Sequence, residues 1–175
     1  MLIHTHPSPR SPKRVVVLGA RGFVAAATIR QLEKDGVLVL ALSSADLDLT
    51  AEPSSTALAG MLREDDALLF VSALTPDRGR DVATLMRNLQ MGQHVSAALA
   101  ARPVAHVAYM STDAVYDDNA NPVRETSCTQ PGGGFHGTMH VARERMLIET
   151  LKATRTPLAL LRPSLLFGPG DTHNG

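Results

Sequence analysis

Residues 15–25 of the chain read Val15-Val-Val-Leu18-Gly19-Ala-Arg21-Gly22-Phe-Val-Ala25. The run from Val15 to Leu18 is apolar throughout and rich in β-branched residues, which is typical of a strand buried on both faces of a parallel sheet. Gly19 ends this run, and from Gly22 onward the apolar spacing becomes that of a helix. The stretch therefore predicts a strand, a glycine-bearing turn and a helix in immediate succession.

The alternation of strand and helix patterns continues along the chain. A second apolar run at 37–42 completes a strand–helix–strand unit. Further elements are predicted in the order helix 52–62, strand 67–71, helix 79–100, strand 104–110, helix 136–153 and strand 158–161. Such alternation predicts a Rossmann-like α/β fold with a doubly wound parallel sheet. The polar connection at 117–134 is too long for an ordinary linker and is interpreted as functional or mobile.

The composition indicates one globular domain and disfavours several classes of protein. Over 175 residues, 17 Lys+Arg balance 17 Asp+Glu, and the aromatic residues are two Tyr and four Phe with no Trp. The chain therefore lacks both the positive charge that binds phosphate backbones and the rings that stack on bases, so nucleic-acid binding is not expected. Cys128 is the single cysteine, which excludes a disulfide framework.

The first 13 residues contain three prolines and lack the apolar core of a signal peptide. They are interpreted as a flexible leader of a cytoplasmic protein, which places the folded domain at 14–175. No apolar run reaches the roughly 20 residues that a membrane helix requires, so no membrane partner is expected.

The glycine turn lies where a dinucleotide pyrophosphate binds in folds of this type. The N-terminus of the following helix offers unpaired N–H groups and a partial positive charge. Gly19 allows the tight turn, Gly22 lets the backbone approach the phosphates, and Ala25 replaces the third glycine of the usual motif. The sequence therefore predicts NAD or NADP binding at 19–25, against the alternative of a turn that holds no ligand.

The end of the second strand bears on the choice between NAD and NADP. An acidic residue is expected there to hold the adenosine ribose, but Ser43 and Ser44 occupy the tip, and Asp46 and Asp48 come slightly late. With no carboxylate at the tip and Arg21 nearby, NADP is as plausible as NAD. The alternative for Arg21 is a solvated loop cation.

Three further motifs carry a resemblance to a known family. They are Met110-Ser-Thr-Asp-Ala-Val-Tyr116, the segment LRPSLLFGPG at 161–170, and Asn88, which lies 23 residues before Ser111. With the glycine turn, where Phe23 and Val24 match too, they are similar to the extended short-chain dehydrogenase/reductases. These are NAD(P)-dependent nucleotide-sugar epimerases, dehydratases and reductases. The resemblance spans residues 14–170, and residues 113–131 look most like dTDP-4-dehydrorhamnose reductases.

The resemblance implies roles for the residues after the fourth strand. Thr112 falls where the family hydrogen-bonds the reacting sugar oxygen, and a hydroxyl at the end of a strand suits donation to a developing oxyanion. The alternative is a hydroxyl that satisfies backbone groups. Asp113 resembles the acid of the sugar dehydratases, but Ala114 replaces their Glu, which favours keto-sugar reduction or epimerisation. The family also implies a homodimer through the helices at 79–100 and 136–153.

The sequence departs from the family at the catalytic Tyr and Lys, because His136 and His140 occupy their positions. Three interpretations stay open. The first is a degenerate site with two partly exposed histidines. The second is an altered acid, in which His136, roughly a quarter protonated at pH 7, protonates the substrate and His140 reaches a ribose hydroxyl of the cofactor. The last is a metal pair, for which no third ligand is evident.

A second departure is length, since the family continues into a smaller sugar-binding domain after the segment that precedes Gly175. That substrate domain is expected to be absent from this chain. The expected function is family-level oxidoreduction or epimerisation of a nucleotide-linked sugar, impaired by the loss of the Tyr–Lys pair. The alternative is a catalytically degenerate module that binds or senses a dinucleotide.

Overall fold

The computed structural model describes residues 8, 10–117, 119, 121–132 and 134–171. The elements run in the order β1 (Arg14–Leu18), α1 (Phe23–Lys34), β2 (Leu38–Leu42), α2 (Ser54–Met61), β3 (Asp66–Phe70), α3 (Val82–Ala101), β4 (His106–Met110), a short 3-10 helix (Asp113–Val115), α4 (Phe135–Thr154) and β5 (Leu158–Leu161). Every strand and helix predicted from the sequence is present. The leader expected at 1–13 lies largely outside the described residues and stays a prediction.

The five strands form one parallel sheet in the order β2-β1-β3-β4-β5. The strand order reverses between β1 and β3, which is the switch point at which folds of this kind bind ligands. The predicted Rossmann-like fold is confirmed. Because all strands are parallel, the loops after Leu18, Leu42, Phe70, Met110 and Leu161 share one edge of the sheet.

The helices cover both faces of the sheet. One face carries the larger core, in which Leu58 of α2, Val95 of α3 and Leu147 of α4 pack together with inward residues of the strands. The other face carries α1, whose Ala25 packs with Val15 and Val17. Since β1 contributes to both clusters, the apolar run that opens the motif is buried on two sides, as its sequence predicts.

Element boundaries differ from the sequence-based prediction by a few residues, and local bonding explains the clearest case. Helix α3 begins at Val82 rather than near Gly79, because the Asp81 carboxylate accepts a hydrogen bond from the Thr84 amide at 2.7 Å and caps the helix. Gly79 itself has a φ of +147°, which is incompatible with helix. Among the described residues, no helix is long and apolar enough to span a membrane.

Candidate functional site

The glycine turn has the geometry of an anion-binding loop. Gly19 has a φ of +95°, and a Cβ built on it would lie 2.9 Å from the backbone N and Cα of Ser72. Helix α1 then starts at Phe23 with Gly22 as its N-cap, with no side-chain cap and no acidic residue in its first turn. The first N–H groups of α1 therefore lack partners from the helix or from a capping side chain, as phosphate binding requires.

The tip of β2 carries a carboxylate, contrary to the expectation from sequence. The Asp46 carboxylate accepts hydrogen bonds from the Ser43 amide at 2.9 Å and the Ser43 hydroxyl at 2.6 Å. These two bonds lower the pKa of Asp46, and the positive charge of Arg21 lowers it further. The chain after β2 folds back on itself, so a residue three positions late in sequence is at the tip in space. Asp48 accepts instead from the Thr50 hydroxyl at 2.7 Å.

The loop after β3 is held by one side chain of α3. The buried Asn88 side chain donates to the Leu74 carbonyl and accepts from the Leu74 amide, both at 2.9 Å. This two-point contact pairs the Asn88 amide with the Leu74 backbone in the way that neighbouring strands pair. It fixes the loop that contains Ser72, which faces Gly19. The spacing of Asn88 to Ser111 singles this residue out in the sequence, and the structure gives it a concrete contact.

A cleft of about 370 Å³ opens between this loop and the start of α4. Its lining includes Leu74, Thr84, Asn88, His136 and Met139. His136 is half-buried there, and its pKa is lowered by burial and then by the charge of Arg143, against the opposing effect of Asp113. The protonated fraction of His136 at pH 7 is therefore below the quarter expected from a free imidazole. Fewer molecules than predicted carry the proton that a general acid would donate.

His140 is buried, with 4% of its surface exposed, and the expectation that both histidines are partly exposed is wrong for it. Its Nδ1 lies 2.7 Å from the Tyr109 hydroxyl, and burial followed by the charges of His136 and Arg143 lowers its pKa to about 3. Burial also raises the pKa of Tyr109 to about 12. His140 is thus a neutral member of the core, and its predicted reach to a ribose hydroxyl gains no support.

The two histidine rings contact each other edge to face, with centroids 4.7 Å apart. Within the described part of the chain, no group of three or more His, Cys, Asp or Glu side chains is arranged to hold a metal ion. The metal interpretation therefore has no third ligand in this region.

Thr112 caps the short 3-10 helix after β4, and Asp113 is its first residue. The Thr112 hydroxyl accepts a hydrogen bond from the Ala114 amide and donates one to the Asp113 carboxylate, both at 3.3 Å. In this structure the hydroxyl therefore satisfies a backbone N–H group, as the alternative interpretation states. The 3-10 helix packs tightly on α4, because a Cβ on Gly137 would collide with the Ala114 carbonyl. Asp113 is exposed and lines a second cleft, of about 600 Å³, together with Arg162.

Sequence reasoning missed the buried network beneath these clefts. Glu144 accepts from the Ser111 hydroxyl at 2.6 Å and forms a two-point ion pair with Arg162 at 2.9 and 2.6 Å. Arg162 also donates to the Tyr116 hydroxyl at 3.0 Å. The network ties α4 to β4 and to the segment after β5. The available signal was helical spacing, since Glu144 lies four residues after His140 on one face of α4.

A parallel sheet of this order, with a glycine turn at its switch point and clefts at the carboxyl ends of its strands, defines a Rossmann-like α/β domain. The model of the NAD dependent epimerase/dehydratase family matches residues 15–175. The chain belongs to this family. The family resemblance of the sequence motifs is thereby confirmed. No curated protein matches the sequence.

Solved structures of similar fold carry related names. A dTDP-4-dehydrorhamnose reductase from Clostridium acetobutylicum aligns with a TM-score of 0.77 at 20% identity, over 91% of this chain and 56% of that one. A UDP-N-acetylglucosamine 4-epimerase from Bacillus cereus aligns with 0.74 at 17%, over 92% and 64%. A GDP-L-fucose synthetase from Naegleria fowleri bound to NADP aligns with 0.74 at 17%, over 95% and 54%. The chain therefore spans between about half and two thirds of these proteins.

Proposed function

We propose that the chain binds NAD or NADP, with the pyrophosphate at residues 19–25. The observation that carries this proposal is the glycine turn, in which Gly19 adopts a left-handed φ and packs on the Ser72 backbone while α1 begins without a cap. The uncapped start of α1 offers N–H groups to a phosphate, and the missing Cβ at Gly19 lets the loop at Ser72 pack against the turn. When bound, the nicotinamide would accept or donate a hydride.

The substrate class that we propose is a nucleotide-linked sugar, taken through oxidoreduction or epimerisation. Family membership supports it, as do the reductase, epimerase and synthetase names of the structural neighbours. Two clefts reach the carboxyl edge of the sheet, with His136 in one and Asp113 in the other. The half-buried Thr112 donates its hydroxyl proton to the Asp113 carboxylate in this structure, and we propose that a sugar oxygen takes the place of this acceptor.

We further propose that turnover is slower than in relatives that carry the Tyr–Lys pair. His136 is mostly neutral at pH 7, since burial and Arg143 lower its pKa, and His140 is a buried neutral ring bonded to Tyr109. Neither histidine reproduces the family arrangement, in which the fixed positive charge of the Lys lies beside the phenol of the Tyr. Loss of tuned acid–base assistance costs roughly 10²- to 10⁴-fold in rate.

A dinucleotide-binding or sensing module without turnover is the second candidate. The burial of His140 favours it, because this ring contributes to packing rather than to a cleft. The two functions share the cofactor site and differ only in hydride transfer.

A homodimer through α3 and α4 also stays a proposal, as does a cytoplasmic location. Val82 and Met86 of α3 are 60% and 56% exposed and supply apolar surface. Met91 of α3 and Met139 of α4 are buried in the fold and cannot contribute to such a contact. Sedimentation at high protein concentration distinguishes a dimer from a monomer.

The test of the proposed function uses two measurements on the native chain. Calorimetry with NAD, NADP and their reduced forms measures binding, and binding of none of them at millimolar concentration would remove both candidates. Absorbance at the reduced nicotinamide band then measures hydride transfer with UDP-, dTDP- and GDP-linked sugars. Binding with slow transfer supports the enzyme, and binding without any transfer supports the sensing module.

A further inference from the structure

The second cleft has a volume of about 600 Å³ and lies at the carboxyl ends of β4 and β5. Its walls come from residues that follow β4, from residues 123–125 of the polar connection, and from Arg162 and Ser164 after β5. Pockets of roughly 300–1,000 Å³ are typical of small-molecule sites. The cleft therefore has room for a hexose ring together with water.

Arg162 is held on the wall of this cleft by two side chains. Its Nε and Nη2 donate to the Glu144 carboxylate at 2.9 and 2.6 Å, and its Nη1 donates to the Tyr116 hydroxyl at 3.0 Å. The bond to Glu144 foremost raises the pKa of Arg162, so the guanidinium stays charged. Its side chain is 18% exposed, in contrast to Arg143, which is completely buried and donates to the Ser72 carbonyl. A guanidinium carries more N–H groups than these bonds engage, so Arg162 can also donate to a ligand oxygen in the cleft.

Tyr116 is a phenol with a fixed orientation on the same wall. It is 6% exposed, and its ring lies 5.0 Å from the Cζ of Arg162. Because a guanidinium only donates, the Tyr116 oxygen accepts the bond from Arg162, and its own proton points toward a different acceptor. Tyr116 lines the cleft, so an oxygen atom of a ligand there can be that acceptor.

The charges of the lining distinguish between a neutral ligand and an anion. Three carboxylates and two guanidiniums line the cleft, namely Asp113, Asp117, Glu125, Arg124 and Arg162. The charge of Arg162 is already balanced by Glu144. The remaining balance is negative, which disfavours a phosphate in the cleft. Hydroxyl groups fit such a lining, because each can donate to a carboxylate and accept from a phenol or a guanidinium.

The two clefts meet at the 3-10 helix. The Ala114 carbonyl of this helix packs against Gly137, which follows His136 of the first cleft. Asp113 lines the second cleft and accepts from the Thr112 hydroxyl at 3.3 Å. A ring in the second cleft can therefore bring one of its oxygens to Thr112 and Asp113 while its other hydroxyls lie against Tyr116.

We propose that the second cleft is a subsite for the neutral, polyhydroxylated ring of a sugar, with Tyr116 and Arg162 as hydrogen-bond donors and Asp113 as an acceptor. This inference rests on the proposed function and deepens it, since it assigns a place to one part of a nucleotide-linked sugar. The phosphates of the substrate lie outside this cleft. Tyr116 orients the ring here and takes no part in the transfer of a hydride.

The first experiment uses the native chain and follows the methyl signals of Val123 by NMR. Val123 lines the cleft and is 50% exposed, and a Val123→Ile chain identifies its signals. The titrants are UDP-glucose, dTDP-glucose and GDP-mannose, the matching nucleoside diphosphates without sugar, and inorganic phosphate. We expect at least one nucleotide sugar to shift the signals at millimolar concentration, and its nucleoside diphosphate and phosphate to leave them in place. No shift with any nucleotide sugar, or an equal shift with the matching diphosphate, overturns the proposal.

The second experiment removes the proposed donor. Tyr116→Phe deletes the hydroxyl and keeps the ring beside Arg162, so we expect the Kd of the nucleotide sugar to rise about five- to tenfold, with the Kd of its nucleoside diphosphate unchanged. Ser54→Ala is the matched control, because it removes a hydroxyl that is also buried but bonds to His94 and lines neither cleft. An unchanged Kd in a folded Tyr116→Phe chain overturns the proposal.

Asp113→Asn gives the same measurement at an exposed residue, where the interior is not disturbed. We expect a severalfold rise in the Kd of the nucleotide sugar, and an unchanged Kd overturns the acceptor role. Dinucleotide calorimetry and the hydride-transfer assay are run in parallel. Sugar binding in the cleft without dinucleotide binding would contradict the proposed function alone, whereas hydride transfer without a shift of Val123 would contradict the subsite alone.

Discussion

The two halves of the candidate site are built in different ways. The glycine turn at 19–25 is formed almost wholly by consecutive backbone. Its distant contacts include the Ser72 backbone and the Leu42 carbonyl, which accepts from the Gly19 and Ala20 amides at 2.9 and 3.1 Å. The histidine side gathers side chains from three elements around the end of β3. They are Tyr109 from β4, Asn88 from α3, and His136 and Arg143 from α4. Backbone sites tolerate change of side chains, whereas a side-chain site must be rebuilt as a unit. Here the first half matches the family motif, and the second is rearranged around a buried cation.

Replacing Gly19 by Ala should have the largest effect, because it disturbs the backbone geometry on which the glycine half of the site depends. The new Cβ meets the Ser72 backbone, and the residue must keep a φ of +95°. We expect a loss of about 3 kcal/mol in the free energy of unfolding and no measurable dinucleotide binding. Gly60→Ala is the control, since nothing lies within 4 Å of a Cβ there. Normal binding by Gly19→Ala would show that the turn is not the phosphate site.

Lowering the pH should have the next largest effect, because protonation at the histidine half of the site decreases the free energy of unfolding. His140 has a pKa of about 3 in the fold, below its ordinary value, so the unfolded chain binds the proton that the folded chain excludes. Stability is therefore full above about pH 6.5 and falls by about 1 kcal/mol per pH unit below it. Urea unfolding at several pH values measures this slope. His140→Gln should flatten it, and an equally steep slope in that variant would contradict the assignment.

A lysine at position 140 tests whether the buried cation excludes the family arrangement. His140→Lys places a second cation beside Arg143, with which the native ring already interacts electrostatically. We expect the substitution to cost about 2 kcal/mol more in the native background than in an Arg143→Met background. Urea unfolding of the four chains gives the coupling energy. Additive effects would mean that the two positions are independent.

The smallest effect is expected at the ribose end of the glycine half. The Asp46 carboxylate at the tip of β2 should favour a ribose hydroxyl and oppose a 2′-phosphate, against the pull of Arg21. Asp46→Asn should shift the ratio of NADP to NAD affinity toward NADP by about tenfold, or about 1.4 kcal/mol. Asp48→Asn is the control, because that carboxylate is bonded to Thr50. Equal shifts in both variants would show a general charge effect.

Periodicity and turn chemistry in the sequence determined most of the fold. Apolar runs of strand length alternate with helical spacings, and each predicted element appears within a few residues of its expected bounds. The position of the Gly19 turn also followed from sequence, because its residues are neighbours in the chain and its geometry is local. The positions of His136 and His140 on one helix followed for the same reason.

Tertiary structure alone decided what those residues face. Asp46 reaches the tip of β2 because the chain turns back on Ser43. His140 is neutral because it is buried against Tyr109, which lies 31 residues away in sequence. Arg143 reads in sequence as an ordinary helical arginine, yet packing against Gly92 and the end of β3 buries its charge. Burial and long-range contacts set proton affinities, and a linear pattern contains neither quantity.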